Sequence, residues 1–151
     1  AVGNLHKLES GVDVNYVKST AEDYVEGHTN AFDTVTCLEM LEHVPDPSSV
    51  VKACAEMTKP GGSVFFSTIN RNPKSYLLAV IGVEYILRML PKGTHEYAKF
   101  IRPSELGGWI RDAGLEITDM TGLVYNPITK KYRLNQRDVD VNYMICARKL
   151  A

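Results

Sequence analysis

The sequence predicts one α/β domain on a largely parallel sheet, and three observations carry that prediction. Phe32-Asp33-Thr34-Val35-Thr36-Cys37-Leu38 and Ser63-Val64-Phe65-Phe66-Ser67-Thr68-Ile69 are apolar, β-branched runs of strand length. Between them lies a helical segment that carries both end signals, Asp46-Pro47 at its start and Pro60-Gly61-Gly62 at its stop. Strand, helix, strand is a βαβ unit, and its crossover makes the two strands parallel. The 151 residues amount to about one domain, so separate cofactor and substrate domains are not expected.

Taken in order, Ala1 to Gly11 reads as the back half of an amphipathic helix stopped by the glycine. Val12-Asp13-Val14-Asn15-Tyr16-Val17 alternates apolar and polar residues, which predicts a strand with one face buried. Ser19-Thr20-Ala21-Glu22 leads into a short polar stretch before the βαβ unit, whose helix runs through Val50, Val51, Ala53, Cys54 and Met57. The second strand of the unit is apolar on both sides, which predicts helices on both faces of the sheet. From Lys74 to Pro91 a more hydrophobic helical stretch interrupts the alternation; residues 70–101 are treated as an insertion within the single domain 1–151. Another helix is predicted from Pro103 to about Ala113 with Gly114 as its stop, then a strand from Leu115 to Leu123. Val139 to Ala147 closes the chain as a long strand, and the polar connection before it predicts an antiparallel hairpin at the sheet edge.

Composition narrows the function. Hydrophobic residues at 44% against 23% charged exclude a disordered tail. Seventeen Lys and Arg against eighteen Asp and Glu leave a net charge of -1, so no bulk field attracts nucleic acid, and any anion has to be bound locally. Cys37, Cys54 and Cys146 are odd in number, widely spaced and set in apolar stretches, which predicts reduced core thiols and a reducing, cytoplasmic compartment. Gly61-Gly62 and Gly107-Gly108 are isolated pairs that make no phosphate loop, and no Gly-x-Ser-x-Gly elbow supplies a hydrolase nucleophile.

The informative stretch is Leu38-Glu39-Met40-Leu41-Glu42-His43-Val44-Pro45-Asp46-Pro47, which leaves the first apolar strand at its carboxyl end, where open α/β sheets bind ligands. If the chain enters one helical turn after Leu38, Glu39, Glu42 and His43 fall at i, i+3 and i+4 and share a face. Two carboxylates and an imidazole so placed suit a hard cation such as Mg²⁺ with open positions for substrate and water. The alternative is two solvated carboxylates and a His43 that caps a loop carbonyl. Short patterns of this kind match by accident more often than not.

Phe32 to Val35 through Leu41 to Val44, with Lys59-Pro60-Gly61-Gly62-Ser63-Val64-Phe65-Phe66-Ser67-Thr68, resembles the class I S-adenosylmethionine-dependent methyltransferases. Ile69-Asn70-Arg71-Asn72, the apolar insertion, Pro91-Lys92-Gly93-Thr94-His95, Lys99-Phe100-Ile101, Gly122 to Pro127 and Val139 to Met144 are similar to the ubiquinone-biosynthesis O-methyltransferase family in particular. The resemblance implies a partial Rossmann-like sheet, the family's strands three to seven, with helices on both faces and the apolar helical insertion after strand five. The family's Gly-rich cofactor loop and the acidic residue that holds the cofactor ribose would precede Ala1. Without them this chain is expected to bind S-adenosylmethionine poorly by itself.

Residue by residue, the resemblance places Leu38 against the cofactor and Thr20, Ala21 and Glu22 near its adenine. It makes Glu39, Glu42 and His43 ligands of Mg²⁺, in agreement with the spacing. The reaction implied is O-methylation of a polyprenylated catechol or phenol in ubiquinone biosynthesis. A bound cation lowers the hydroxyl pKa from about 10, or His43 takes the proton as general base. His95 competes for that base role, against the alternative of a loop histidine bonded to backbone.

The insertion has an uncharged run from Ser75 to Val83, too short to span a bilayer, ringed by Arg71, Lys74, Arg88 and Lys92. It reads either as a helix lying on an anionic membrane or as a lid packed on the sheet. A polyprenyl substrate favours the membrane and implies a peripheral location at its inner face, with other ubiquinone-biosynthesis enzymes as further partners. The competing function is a non-catalytic module that uses a truncated sheet to touch a membrane or a subunit.

Overall fold

In the computed structural model, which describes residues 11–77, 97–126, 129 and 131–151, the two apolar runs form parallel neighbours, β1 (Phe32–Leu38) and β2 (Thr58–Ile69). Val35 pairs with Val64 and Leu38 with Ser67. A short α1 (Ala21–Tyr24) precedes them, and α2 (Pro47–Met57) is the crossover. Asp46 caps α2, its Oδ1 accepting from the Ser48 and Ser49 amides at 3.0 and 3.2 Å, and Pro47 occupies the first turn, where its missing N–H costs nothing. β2 begins at Thr58, earlier than the sequence predicts, and draws Pro60-Gly61-Gly62 into an irregular entry opposite Phe32 to Thr34. Gly62 is required there, because a Cβ would lie 2.8 Å from the Asp33 carbonyl oxygen.

One turn of helix, α3 (Pro73–Ser75), follows, with Asn72 as a side-chain cap. The rest of the predicted insertion helix, residues 78–96, lies outside the described residues, as does the predicted helix of Ala1 to Ser10. α4 (Pro103–Asp112) stops before Gly114, whose φ of 76° is the left-handed conformation a helix end asks of glycine. Then come β3 (Leu115–Asn126), β4 (Lys131–Asn135) and β5 (Asn142–Lys149), and the sheet order is β1-β2-β5-β3-β4.

β5 does run antiparallel to β3, as the sequence predicts, but it lies inside the sheet between β2 and β3. The edge hairpin is β3–β4, with β4 formed from the polar connection. Val12 to Val17 forms no strand: it carries no regular structure, and Val12, Tyr16 and Val17 are exposed. Alternation buries one face only when a neighbouring strand supplies the ladder, and among the described residues the sheet ends at β1.

The core sits on one side of the sheet. α1 packs on α2, α2 packs on α4, and Val50, Val51, Cys54, Leu106 and Ile110 meet Cys37, Val64, Phe66, Tyr143, Ile145 and Ala147. Residues one position out of phase, Thr34, Thr36 and Leu38, point to the other side and are exposed. Cys37 and Cys54 are buried free thiols in contact across this core, and the neighbouring thiol together with burial pushes Cys54 far above its ordinary range. No helix among the described residues is long and apolar enough to cross a membrane.

Candidate functional site

The site is built where β1 and β2, the parallel pair, end. Leu38, the last residue of β1, is 48% exposed and points, with Thr34 and Thr36, to the face away from the core. It stands at the carboxyl edge, where open α/β sheets bind ligands. The chain does not pass from Leu38 into a helix. Glu39 adopts φ 50°, a left-handed conformation, and only Leu41–His43 coil, as a single 3₁₀ turn. The helical spacing assumed for Glu39, Glu42 and His43 is therefore absent at its first residue.

The consequence is a separation of the two carboxylates. Ser67 and Thr68 are successive residues of β2, so their side chains leave opposite faces of the sheet. The Ser67 hydroxyl donates to Glu39 Oε1 at 2.7 Å, and Asn142 Nδ2, from the first residue of β5, donates to Glu39 Oε2 at 3.0 Å. The Thr68 hydroxyl donates to Glu42 Oε2 at 2.7 Å on the side that faces the helices. Glu42 is 4% exposed there, and its charge acts on Cys37 and Tyr143, both residues of the covered face. Glu39 is exposed at the sheet edge. His43 is exposed as well, its backbone N–H closing the turn on the Met40 carbonyl at 2.9 Å.

Among the described residues no three of His, Cys, Asp and Glu converge as metal ligands. The expected Mg²⁺ set does not fit as a unit, since one of its carboxylates is spent on a buried hydroxyl across the sheet. Thr20, Ala21 and Glu22, predicted near an adenine, stand at the start of α1. Ser49, at the amino end of α2, donates to Glu22, and a crossover helix begins where its strand ends; α1 therefore lies at the same edge as Leu38 and Glu39. Thr20 spends its hydroxyl on capping α1, accepting from the Asp23 amide at 3.1 Å, and Ala21 opens that helix. His95 lies outside the described residues.

Sequence reasoning missed Ser67, Thr68 and Asn142. A signal was present: Ser67 and Thr68 follow the apolar run Val64-Phe65-Phe66 and Asn142 precedes Tyr143-Met144-Ile145, and polar groups inside a sheet need partners. What the sequence could not supply is the register that brings Asn142 opposite Ile69, two residues beyond Ser67.

Residues 6–119 match the methyltransferase domain family. The chain is 64% identical over 149 residues to a ubiquinone biosynthesis O-methyltransferase of Saccharophagus degradans, covering 99% of this chain and 63% of that protein. It is 69% identical over 145 residues to the protein of that name in Pseudomonas putida, covering 96% of this chain and 62% of the relative. The chain thus spans less than two thirds of the length of these relatives. Among solved structures, a SAM-dependent methyltransferase from Thermotoga maritima superposes with a TM-score of 0.70 at 17% identity, over 97% of this chain and 69% of that one. Another, from Archaeoglobus fulgidus, gives 0.58 at 18% identity over 91% and 68%. At those identities the likeness speaks for the fold, a partial Rossmann-like methyltransferase sheet. The chain belongs to the methyltransferase domain family, with its sequence similarity directed at the ubiquinone biosynthesis O-methyltransferases.

Proposed function

We propose that this chain is part of an S-adenosylmethionine-dependent O-methyltransferase acting on a polyprenylated catechol or phenol in ubiquinone biosynthesis. The observation that carries the reading is 64% identity extended over 99% of the chain, insertion included. S-adenosylmethionine, when bound, would supply an electrophilic methyl group to the hydroxyl oxygen, whose proton this chain's residues would have to take. In this reading the exposed Leu38 lies against the cofactor, and Thr20, Ala21 and Glu22 lie near its adenine. Glu39, in the same reading, is the carboxylate that accepts a hydrogen bond from the substrate hydroxyl. A carboxylate is a weaker base than a free phenolate, but the hydroxyl becomes strongly acidic as the new C–O bond forms, so proton transfer during attack suffices.

His43, exposed four residues on, is the second candidate for the proton, and His95 the third. The Mg²⁺ implied by the resemblance finds here one suitably placed carboxylate, Glu39, and no reaction step is assigned to it. Contact of the insertion with an anionic membrane, at the inner face of a cytoplasmic membrane, and association with other enzymes of the same route belong to the same reading.

Calorimetric titration tests it. A full-length protein containing this sequence should bind S-adenosylmethionine and methylate a short-tailed catechol, and the 151 residues alone should bind the cofactor at least tenfold more weakly. Absence of both binding and methyl transfer in the full-length protein would leave the non-catalytic module as the correct function.

A further inference from the structure

We infer that the two glutamates of the Glu-x-x-Glu-His segment have divided duties, with Ser67 and Asn142 acting as positioning residues that set Glu39 for methyl transfer while Glu42 is a structural latch. The inference rests on the O-methyltransferase reading above. Three features carry it: the left-handed backbone at Glu39, the alternation of Ser67 and Thr68 across β2, and the register of β5.

The left-handed conformation at Glu39 turns the chain out of β1 just past its last pair, and its side chain reaches back to Ser67 of β2. The Glu39 amide continues the ladder to the Ser67 carbonyl at 3.0 Å, and the same serine returns a hydroxyl bond to Oε1. Asn142 takes the other oxygen from 103 residues away. With one donor on each oxygen, from two different strands, the carboxylate is held in a defined orientation at the carboxyl edge. A group that must receive a proton along a defined line gains from such preorganisation.

Asn142 is itself held. The connection before it, residues 138–141, is tied to the root of the insertion. Asn70 Nδ2 donates to the Val139 carbonyl at 3.0 Å, the Asn70 amide to the Val141 carbonyl at 2.7 Å, and Asn72 Nδ2 to the Asp140 carbonyl at 2.6 Å. Lys74 Nζ adds an ion pair to Asp140 at 2.8 Å. The chain from insertion root to strap to Asn142 to Glu39 is continuous in hydrogen bonds. Glu42, by contrast, is buried and closes the 3₁₀ turn onto Thr68 on the helix side, with no line to the ligand edge.

A double-mutant cycle on full-length protein containing this sequence tests the division, with the unfolding midpoint followed in parallel. Asn142→Ala and Ser67→Ala should each lower kcat about tenfold with KM for S-adenosylmethionine within twofold of wild type. Neither should lower kcat further in a Glu39→Ala background, because an effect passed through a carboxylate vanishes with it. Asn142→Gln should recover part of the loss by restoring a donor. Thr68→Val and Glu42→Gln should lower the unfolding midpoint and leave kcat of the folded protein within threefold of wild type.

Full additivity of Asn142→Ala with Glu39→Ala overturns the positioning role. Equal loss of kcat in Glu39→Gln and Glu42→Gln, both folded, overturns the division. If wild type itself transfers no methyl group, it is the O-methyltransferase reading that fails, and the unfolding midpoints still decide the division: a latch at Glu42 predicts a larger fall with Glu42→Gln than with Glu39→Gln, and equal falls overturn it.

Discussion

Tyr143 shows how one residue joins the site to the core. Its ring is fully buried on the covered face of β5, and its hydroxyl donates to the Ile101 carbonyl at 2.9 Å, which satisfies the one polar atom the ring brings inside. Burial first, then the charges of Glu105 and Glu42, hold its hydroxyl far above the ordinary value of 10. The sign of the pH effect follows. Above pH 10 the unfolded chain gives up this proton while the folded chain keeps it, so the unfolded state binds fewer protons and stability falls as pH rises. Urea midpoints at pH 8 and pH 11 should therefore fall more steeply in wild type than in Tyr143→Phe, which at pH 8 costs about 1 to 2 kcal/mol for the orphaned carbonyl. Equal slopes would mean that Tyr143 ionises in the folded protein. The neighbouring Asn142, Ser67 and Thr68 could be suspected from sequence as polar letters in apolar strands, yet their partners could not. A left-handed φ at Glu39 has no sequence mark, because glutamate carries no preference for it, and that single dihedral undoes the i, i+3, i+4 pattern that brought Glu39, Glu42 and His43 together on paper.

Among the elements, those with punctuation at both ends were readable and those defined by a neighbour were not. α2 has Asp46-Pro47 before it, and α4 has Pro103 inside its first turn and Gly114 after it; both stand where the sequence puts them. Val12 to Val17 has the right alternation and no strand, and β4 has Lys131, Tyr132, Arg133 and Leu134 exposed and forms a strand because β3 pairs with it from Gly122 to Asn126. The β3–β4–β5 arrangement depends on one glycine. A Cβ at Gly122 would lie 1.6 Å from the Asp138 carbonyl oxygen, so the connection that carries the strap to Asn142 crosses β3 in contact with its backbone. Gly122→Ala should cost about 2 to 3 kcal/mol as the strap is pushed away, a fall of roughly 8 °C in the melting midpoint for a domain of this size. Methyl transfer should fall by more than the folded fraction explains, because Asn142 moves with the strap. Calorimetric melting together with kcat measured well below the midpoint checks both parts, and an unchanged midpoint would show that the crossing relaxes without effect.

For the molecule as a whole, the βαβ half was legible because its signals are local, whereas the one-sided placement of α1, α2 and α4 emerges only from packing. The same holds for charge. The sequence offers Arg71, Lys74, Arg88 and Lys92 as a cationic rim for an anionic membrane, but of the two in the described residues neither supplies a free field. Arg71 is paired with Glu105, and Lys74 sits between Asp138 at 3.6 Å and Asp140 at 2.8 Å, so two carboxylates against one ammonium leave that patch net negative. Apolar contact remains: Leu77 is 57% exposed, and the Tyr76 and Tyr97 rings meet edge to face at 5.3 Å beside it, exposed in their turn. Membrane attachment, if it draws on this root, has to be driven by burial of apolar area and to depend weakly on salt. Co-sedimentation of the full-length protein with vesicles of phosphatidylcholine and phosphatidylglycerol should then fall several-fold in Leu77→Ser and stay within twofold of wild type in Lys74→Ala. Raising salt from 50 to 300 mM should weaken wild-type binding less than threefold. A Lys74→Ala variant that leaves the vesicles, or binding that collapses in salt, would show that lipid headgroups displace Asp138 and Asp140 from the lysine and that the rim acts by charge after all.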